Sequence, residues 1–261
     1  MFQWQSAYQA GRKTSYAQAF AAYAAYYGCD ESSDELGSEI DDQGWAIPRA
    51  QLRGYASMTG TRRNLAALDA AGWHVLLSPA GLLNPRGRAY SLDNGAWSAF
   101  QQGRAFDSDA FLRAVDLVGE HADWIVLPDI VLGGQRSLDL SLSWLDKLKG
   151  IPTRLLIAVQ NGMQPDDVRR YLNPMVGLFV GGDTAWKEST CETWGSLARR
   201  RNCYLHVGRV NSQRRIGICA AAGADSFDGT SVTRYAVNMR PLDAARRQSD
   251  LFPASQIWTD I

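Results

Sequence analysis

Five short segments carry the residues of this 261-residue chain that could do chemistry. They are Asp93-Asn94-Gly95-Ala96, Pro128-Asp129, Gln160-Asn161-Gly162, Gly181-Gly182-Asp183 and Ser226-Phe227-Asp228. Each follows a short apolar run. A carboxylate at the end of a buried strand is desolvated unless it is paired or used. Asp228 is the sharpest case. It ends a Gly-X-Asp-X-Phe-Asp pattern, and Thr233-Arg234 follows five residues later. Taken alone, such an Asp suits a helix cap equally well. As a set, the segments suit recognition of a planar base. An Asp carboxylate accepts from the paired N–H groups of a guanine-like edge, and a Gln amide can both donate and accept. Paired glycines let backbone N–H groups come close to a flat ring. Two further carboxylates supply a nucleophile and a proton-transfer partner.

The elements that must hold these segments follow from residue 54 onward. Apolar runs at 55–58, 74–78, 89–92, 124–127, 154–159, 178–180, 204–207 and 225–227 read as strands. Amphipathic stretches at 64–71, 107–120, 137–148, 165–172, 190–200 and 212–222 read as helices between them. Alternating strands and helices predict a parallel sheet covered on both faces. Eight strands predict an α/β fold, a (β/α)8 TIM-like barrel over residues 51–261, with chemistry at the C-terminal strand ends. A doubly wound open sheet is the rival, weakened by the absence of a Gly-X-Gly-X-X-Gly turn after the first strand. Residues 1–50 read as an N-terminal helical extension: 15–27 is Ala- and Tyr-rich with helical periodicity, and 30–42 is an acidic loop.

Composition narrows the partners. Lys plus Arg and Asp plus Glu both number 27, so bulk charge does not advertise a polyanion. A phosphate backbone must be met by a local patch, and the largely arginine basic set suits bidentate phosphate contacts. Arg209, Arg234, Arg62 and Arg63 are the candidates. Cys29, Cys191, Cys203 and Cys219 are scattered, as are His74, His121 and His206, and none has metal-ligand spacing. No metal or organic cofactor is expected. Scattered cysteines suit reduced thiols in a cytoplasm. No apolar run approaches the roughly 20 residues that span a membrane, and no signal peptide is visible.

Over residues 90–235 the order and approximate spacing of these segments resemble the tRNA-guanine transglycosylase superfamily. Within it, the chain is most similar to the short phage and bacterial branch, the deazapurine DNA-modification transglycosylases. Asp93-Asn94-Gly95-Ala96 stands where that superfamily has Asp-Ser-Gly-Gly. Asp129 ends a strand six residues after Asp123, as the guanine-reading Asp does there. Gln160-Asn161-Gly162 matches a Gln-Gly segment, Val180-Gly181-Gly182 matches Val-Gly-Gly, and Gly223–Asp228 with Thr233-Arg234 matches the last motif. Asn94, Ala96 and Asp183 depart from the pattern. The clustered Cys and His of the tRNA enzymes' zinc-binding subdomain are missing.

The resemblance implies base exchange. Asp228 would be the nucleophile at C1′ and Asp93 the proton shuttle. Asp129, Gln160, Gly181, Gly182 and Asp183 would bind the base, and the four arginines the nucleic acid. The implied partners are DNA and a free 7-deazaguanine base such as 7-cyano-7-deazaguanine, with a homo-oligomer or partner modification proteins compatible. The target base must be flipped out or lie in a single strand. Three other readings stay open: the same exchange on RNA, a non-catalytic base-binding subunit, and a barrel hydrolase of small nucleosides.

Overall fold

A computed structural model describes residues 51–248, and eight parallel strands close a barrel there in sequence order. The strands are β1 (Arg53–Ser57), β2 (His74–Leu77), β3 (Tyr90–Leu92), β4 (Trp124–Val126), β5 (Arg154–Val159), β6 (Val176–Val180), β7 (Leu205–Val207) and β8 (Ser226–Asp228). Closure comes from β1 pairing with β8, in the register Tyr55 to Asp228. The doubly wound alternative is thereby excluded. The helix expected over 15–27, the loop over 30–42 and the boundary at residue 50 lie outside the described residues. Among the described residues no helix is long and apolar enough to cross a membrane.

The helices are α1 (Arg62–Ala71), α2 (Ala96–Gln101), α3 (Ser108–Val118), α4 (Gln135–Leu148), α5 (Pro165–Val168), α6 (Thr184–Arg200), α7 (Gln213–Ala221), α8 (Ser231–Arg234) and α9 (Met239–Gln248). Local chemistry fixes their starts. Thr61, Asp107, Asp183 and Ser212 each accept a backbone N–H from the first turn of α1, α3, α6 and α7. The stretch expected over 165–172 splits into α5 and a 3-10 turn at Arg169–Tyr171. Helix α6 begins at Thr184, six residues before the periodicity at 190 announces it, because the Asp183 cap starts it at the strand end. Helices α2 and α8 are too short for a periodic pattern to announce them, and α9 is missed because its few apolar positions, Met239 and Leu242 among them, sit in a strongly polar stretch.

Strand parity divides the core into two layers. Phe227 points outward and packs edge-on to Trp73, at 5.3 Å between ring centroids. With Leu68, Phe111, Trp144 and Trp194 it belongs to the layer between sheet and helices. Residues of the opposite parity fill the barrel: Tyr55, Trp124, Val126, Leu156, Ala158 and Tyr204 form a second cluster, with Leu76 and Phe179 against it. The barrel is plugged by side chains, as this architecture requires. The same parity aims the ends of β3, β5 and β8 inward, so Asp93 continues from Ser91, Gln160 from Ala158, and Asp228 from Ser226.

Candidate active site

The mouth at the C-terminal strand ends holds three carboxylates, from Asp93, Asp129 and Asp228. Asp228 is 7% exposed. Both of its oxygens are held: His206 Nε2 lies 3.0 Å from Oδ2, and the backbone N–H of Arg209 donates to Oδ1 at 3.1 Å. It is not a helix cap. The N-cap of α8 is Thr230, whose side chain makes no capping bond. Its motif has a local logic. Gly223 takes φ +73° in the turn after α7, Asp225 accepts from the backbone N–H of Leu205 at 2.7 Å, and Phe227 enters the outer core.

His206, scattered in the sequence from the other histidines, lies against Asp228. It is fully buried and sits behind Asp228 in a polar chain. Its Nδ1 is 2.7 Å from Ser226 Oγ, which is 2.9 Å from the Tyr204 hydroxyl. Burial lowers the pKa of His206, so the neutral ring is favoured. A neutral ring satisfies both contacts if Ser226 donates to Nδ1 and Nε2–H donates to Asp228. The clue lay in parity: Tyr204, His206, Ser226 and Asp228 all have inward phase on adjacent strands.

Asp93 is treated differently. Its Oδ2 accepts from the Gly95 backbone N–H at 3.2 Å. Burial, then the nearby Asp228 and Asp129 charges, push its pKa up to about 7. It can therefore hold or release a proton near neutrality. Asp129 is also raised by burial, although Asn94, Arg209 and Gln160 favour its charged form. Asn94 is buried and ties two strand ends together. Its Nδ2 donates to Asp129 Oδ1 at 2.8 Å and to the Leu127 carbonyl at 2.7 Å, and its Oδ1 accepts from Ala96 N–H. The departure from the resembled motif at Asn94 thus serves to orient Asp129.

The other predicted residues are placed less simply. Gln160 is buried beside Asp129, but its amide nitrogen is occupied by Ser137 Oγ at 2.6 Å and the Ile130 carbonyl at 2.9 Å. Asp183 is exposed, and both of its oxygens are engaged, by Trp186 N–H and by Asn161 Nδ2. Gly182 has φ +68°, and a Cβ there would lie 2.5 Å from the Trp186 ring. A local contact thus already requires that glycine. Arg62 and Arg63 are exposed in the first turn of α1, and Arg234 is exposed at the end of α8. The Asn64 side chain joins these helices by donating to the Thr233 carbonyl at 2.8 Å.

Arg209 does not stand with them on the rim. It is half-buried, with φ +59°, and donates to the Gly182 carbonyl. Its guanidinium lies over the Trp97 ring, 4.0 Å from the centroid. Trp97 follows β3 and Arg209 follows β7, on opposite sides of the barrel. The pair therefore bridges the mouth. The sequence-based assignment to phosphate missed this because a cation–π contact across a barrel leaves no trace in spacing.

No protein-family model matches the chain, and no curated protein matches it in sequence. Solved structures similar to it include tryptophan synthase from M. tuberculosis, in an open form with BRD0059 bound. It is 16% identical at a TM-score of 0.45, with 78% of this chain and 92% of that one covered. A native KDPGal structure is 12% identical at 0.46, with 78% and 98% covered. RipC from Yersinia pestis is 12% identical at 0.46, with 75% and 95% covered. None of these three is described as a base-exchange transglycosylase.

Proposed function

We propose that this protein is a DNA-guanine transglycosylase, exchanging guanine for a 7-deazaguanine such as 7-cyano-7-deazaguanine. The observation that supports it best is the contrast between two carboxylates in one mouth. Asp228 is oriented by the Arg209 N–H at one oxygen and by His206 Nε2 at the other, which suits a positioned nucleophile, while Asp93 is poised to carry a proton near neutrality.

In the first displacement an Asp228 oxygen forms a bond to C1′ as the C1′–N9 bond breaks. The electron pair goes to the departing guanine, which Asp93 protonates. In the second, the incoming base forms its bond to C1′ from the same face, the C1′–O pair returns to Asp228, and Asp93 takes the proton. Two displacements retain configuration, by the logic of retaining glycosidases. Asp129 reads the base edge, oriented by Asn94. Exposed Arg62, Arg63 and Arg234 meet phosphates.

The deciding experiment incubates the protein with DNA and, separately, tRNA, each carrying labelled guanine, with a free 7-deazaguanine. Release of label from DNA with incorporation of the deazaguanine is expected. Exchange in tRNA alone moves the reading to RNA. Release without incorporation makes the protein a glycosidase, and binding without release makes it a non-catalytic subunit.

A further inference from the structure

Lys187 is a buried cation that the exchange chemistry leaves unused. It sits in the first turn of α6, 7% exposed, and its Nζ donates to the Gly208 carbonyl. That carbonyl and the Arg209 N–H belong to one peptide unit. The N–H end donates to Asp228 Oδ1 at 3.1 Å. A single peptide therefore stands between an ammonium and a carboxylate, with the cation at its oxygen and the anion at its N–H. This alignment polarises the peptide and strengthens its N–H as a donor.

The peptide is also held in an unusual place. Arg209 adopts φ +59°, which non-glycine residues rarely take and surroundings must enforce. A Cβ on Gly208 would lie 2.6 Å from the Phe179 ring and 3.4 Å from Asp228 Oδ2. The backbone is thus pressed close to the carboxylate, where a side chain would force it away.

We propose that Lys187 is a positioning residue for Asp228, clamping the Gly208–Arg209 peptide so that its N–H holds one carboxylate oxygen while His206 holds the other. The proposal rests on Asp228 being the nucleophile. Its effect is largest in the second displacement. There the C1′–O pair returns to Asp228, and the Arg209 and His206 N–H groups receive the negative charge. A preorganised donor aimed at developing charge lowers that barrier.

Lys187 also gives the site a pH limit. Burial first, and then the Arg209 charge, lower its pKa to about 8, with Asp228 acting the other way. Cys219 and Arg215 of α7 face it, as do Cys191 of its own helix, Asp183 and His206. Lys187 is charged below about pH 8 and loses its proton above it, so the clamp weakens on the alkaline side.

The test compares wild type with Lys187→Met and Lys187→Arg. Without substrate, the His206 imidazole is titrated by nitrogen-detected NMR. The Lys187 charge opposes protonation of His206, so Lys187→Met should raise the His206 midpoint, and Lys187→Arg should leave it near wild type. With DNA and the 7-deazaguanine, Lys187→Met should lower kcat about tenfold, the size of one weakened charged hydrogen bond. KM for the base should stay within about twofold, since the clamp touches no base contact. The covalent protein–DNA adduct should accumulate, and the alkaline limb near pH 8 should disappear. Lys187→Arg should keep most of kcat. An unmoved His206 midpoint, or a Lys187→Met enzyme with normal kcat and the same alkaline limb, overturns the proposal. If wild type exchanges no base at all, the functional reading fails, while the His206 titration still decides where the Lys187 charge acts.

Discussion

The two ends of the barrel treat the same side chain in opposite ways. At the N-terminal end, Asp123 precedes β4 and accepts from the Tyr55 hydroxyl at 2.7 Å and lies 2.7 Å from His74 Nδ1. Burial opposes its ionisation, but bonds from His74 and Tyr55 outweigh that and hold its pKa below the usual range. At the C-terminal end, Asp93 lies among other carboxylates, and its pKa rises to about 7. One end satisfies its charge and the other leaves it unresolved. Asp123 is thus a structural carboxylate, while Asp93 is left free to exchange a proton.

The largest test of this contrast is Asp228→Ala. Exchange should fall by roughly 10⁴-fold or more, because the covalent route is lost along with a contact. Circular dichroism should show the fold retained. Near-normal incorporation by this variant would remove Asp228 as nucleophile.

Asp93→Asn is next and cuts two ways. Exchange should drop about 10²–10⁴-fold with loss of the proton shuttle. Stability should rise. A carboxylate whose folded pKa lies above its unfolded value loses stabilisation as pH rises between the two, here from about 4 to about 7. The variant should therefore melt roughly 2–4 °C higher at pH 8, with the gain shrinking toward pH 5. Equal melting temperatures at pH 8 would mean that Asp93 carries no such penalty.

At the opposite end, Asp123→Asn should lower stability by about 1–3 kcal/mol at pH 7, as buried Tyr55 and half-buried His74 lose a charged acceptor. Exchange per folded molecule should be unchanged. A depressed folded pKa contributes stability above the unfolded value near 3.9, lost as pH falls through the folded one. In denaturant melts the two proteins should therefore differ fully at pH 7, and the difference should shrink as pH falls toward 3. A loss of exchange without a loss of stability would erase the distinction between the ends.

The smallest effect belongs to the rim. Arg234→Ala should weaken DNA binding evenly across sequences and reduce the salt slope by about one phosphate. Fluorescence anisotropy at several salt concentrations reads this directly. An unaltered slope takes Arg234 out of the phosphate surface.

Strands could be read from the sequence because parallel strands buried on both faces are short apolar runs, and each run at 74–78, 154–159 and 204–207 has its strand. Parity then shows which strand-end residues face inward, and it reaches Asp93, Gln160 and Asp228. The sequence is silent where a contact joins different elements. Lys187 lies on α6 but reaches the loop after β7, so no spacing links it to Asp228. Asn94 looks like a departure from a motif until its amide is seen on Asp129. Arg209 reads as a surface cation, yet its stem and Trp97 carry it inward.

The ring-packed interior behind the mouth has a further consequence. Tyr55, Trp124, Tyr204 and Phe179 close the barrel beneath His206, with Trp124 centred 4.4 Å from its ring. The mouth is thus a cul-de-sac with one doorway. Anything that enters it from the strand ends must leave by the side on which it came. Under the proposed exchange, a departing base that lingers there is a competitor for the one that follows.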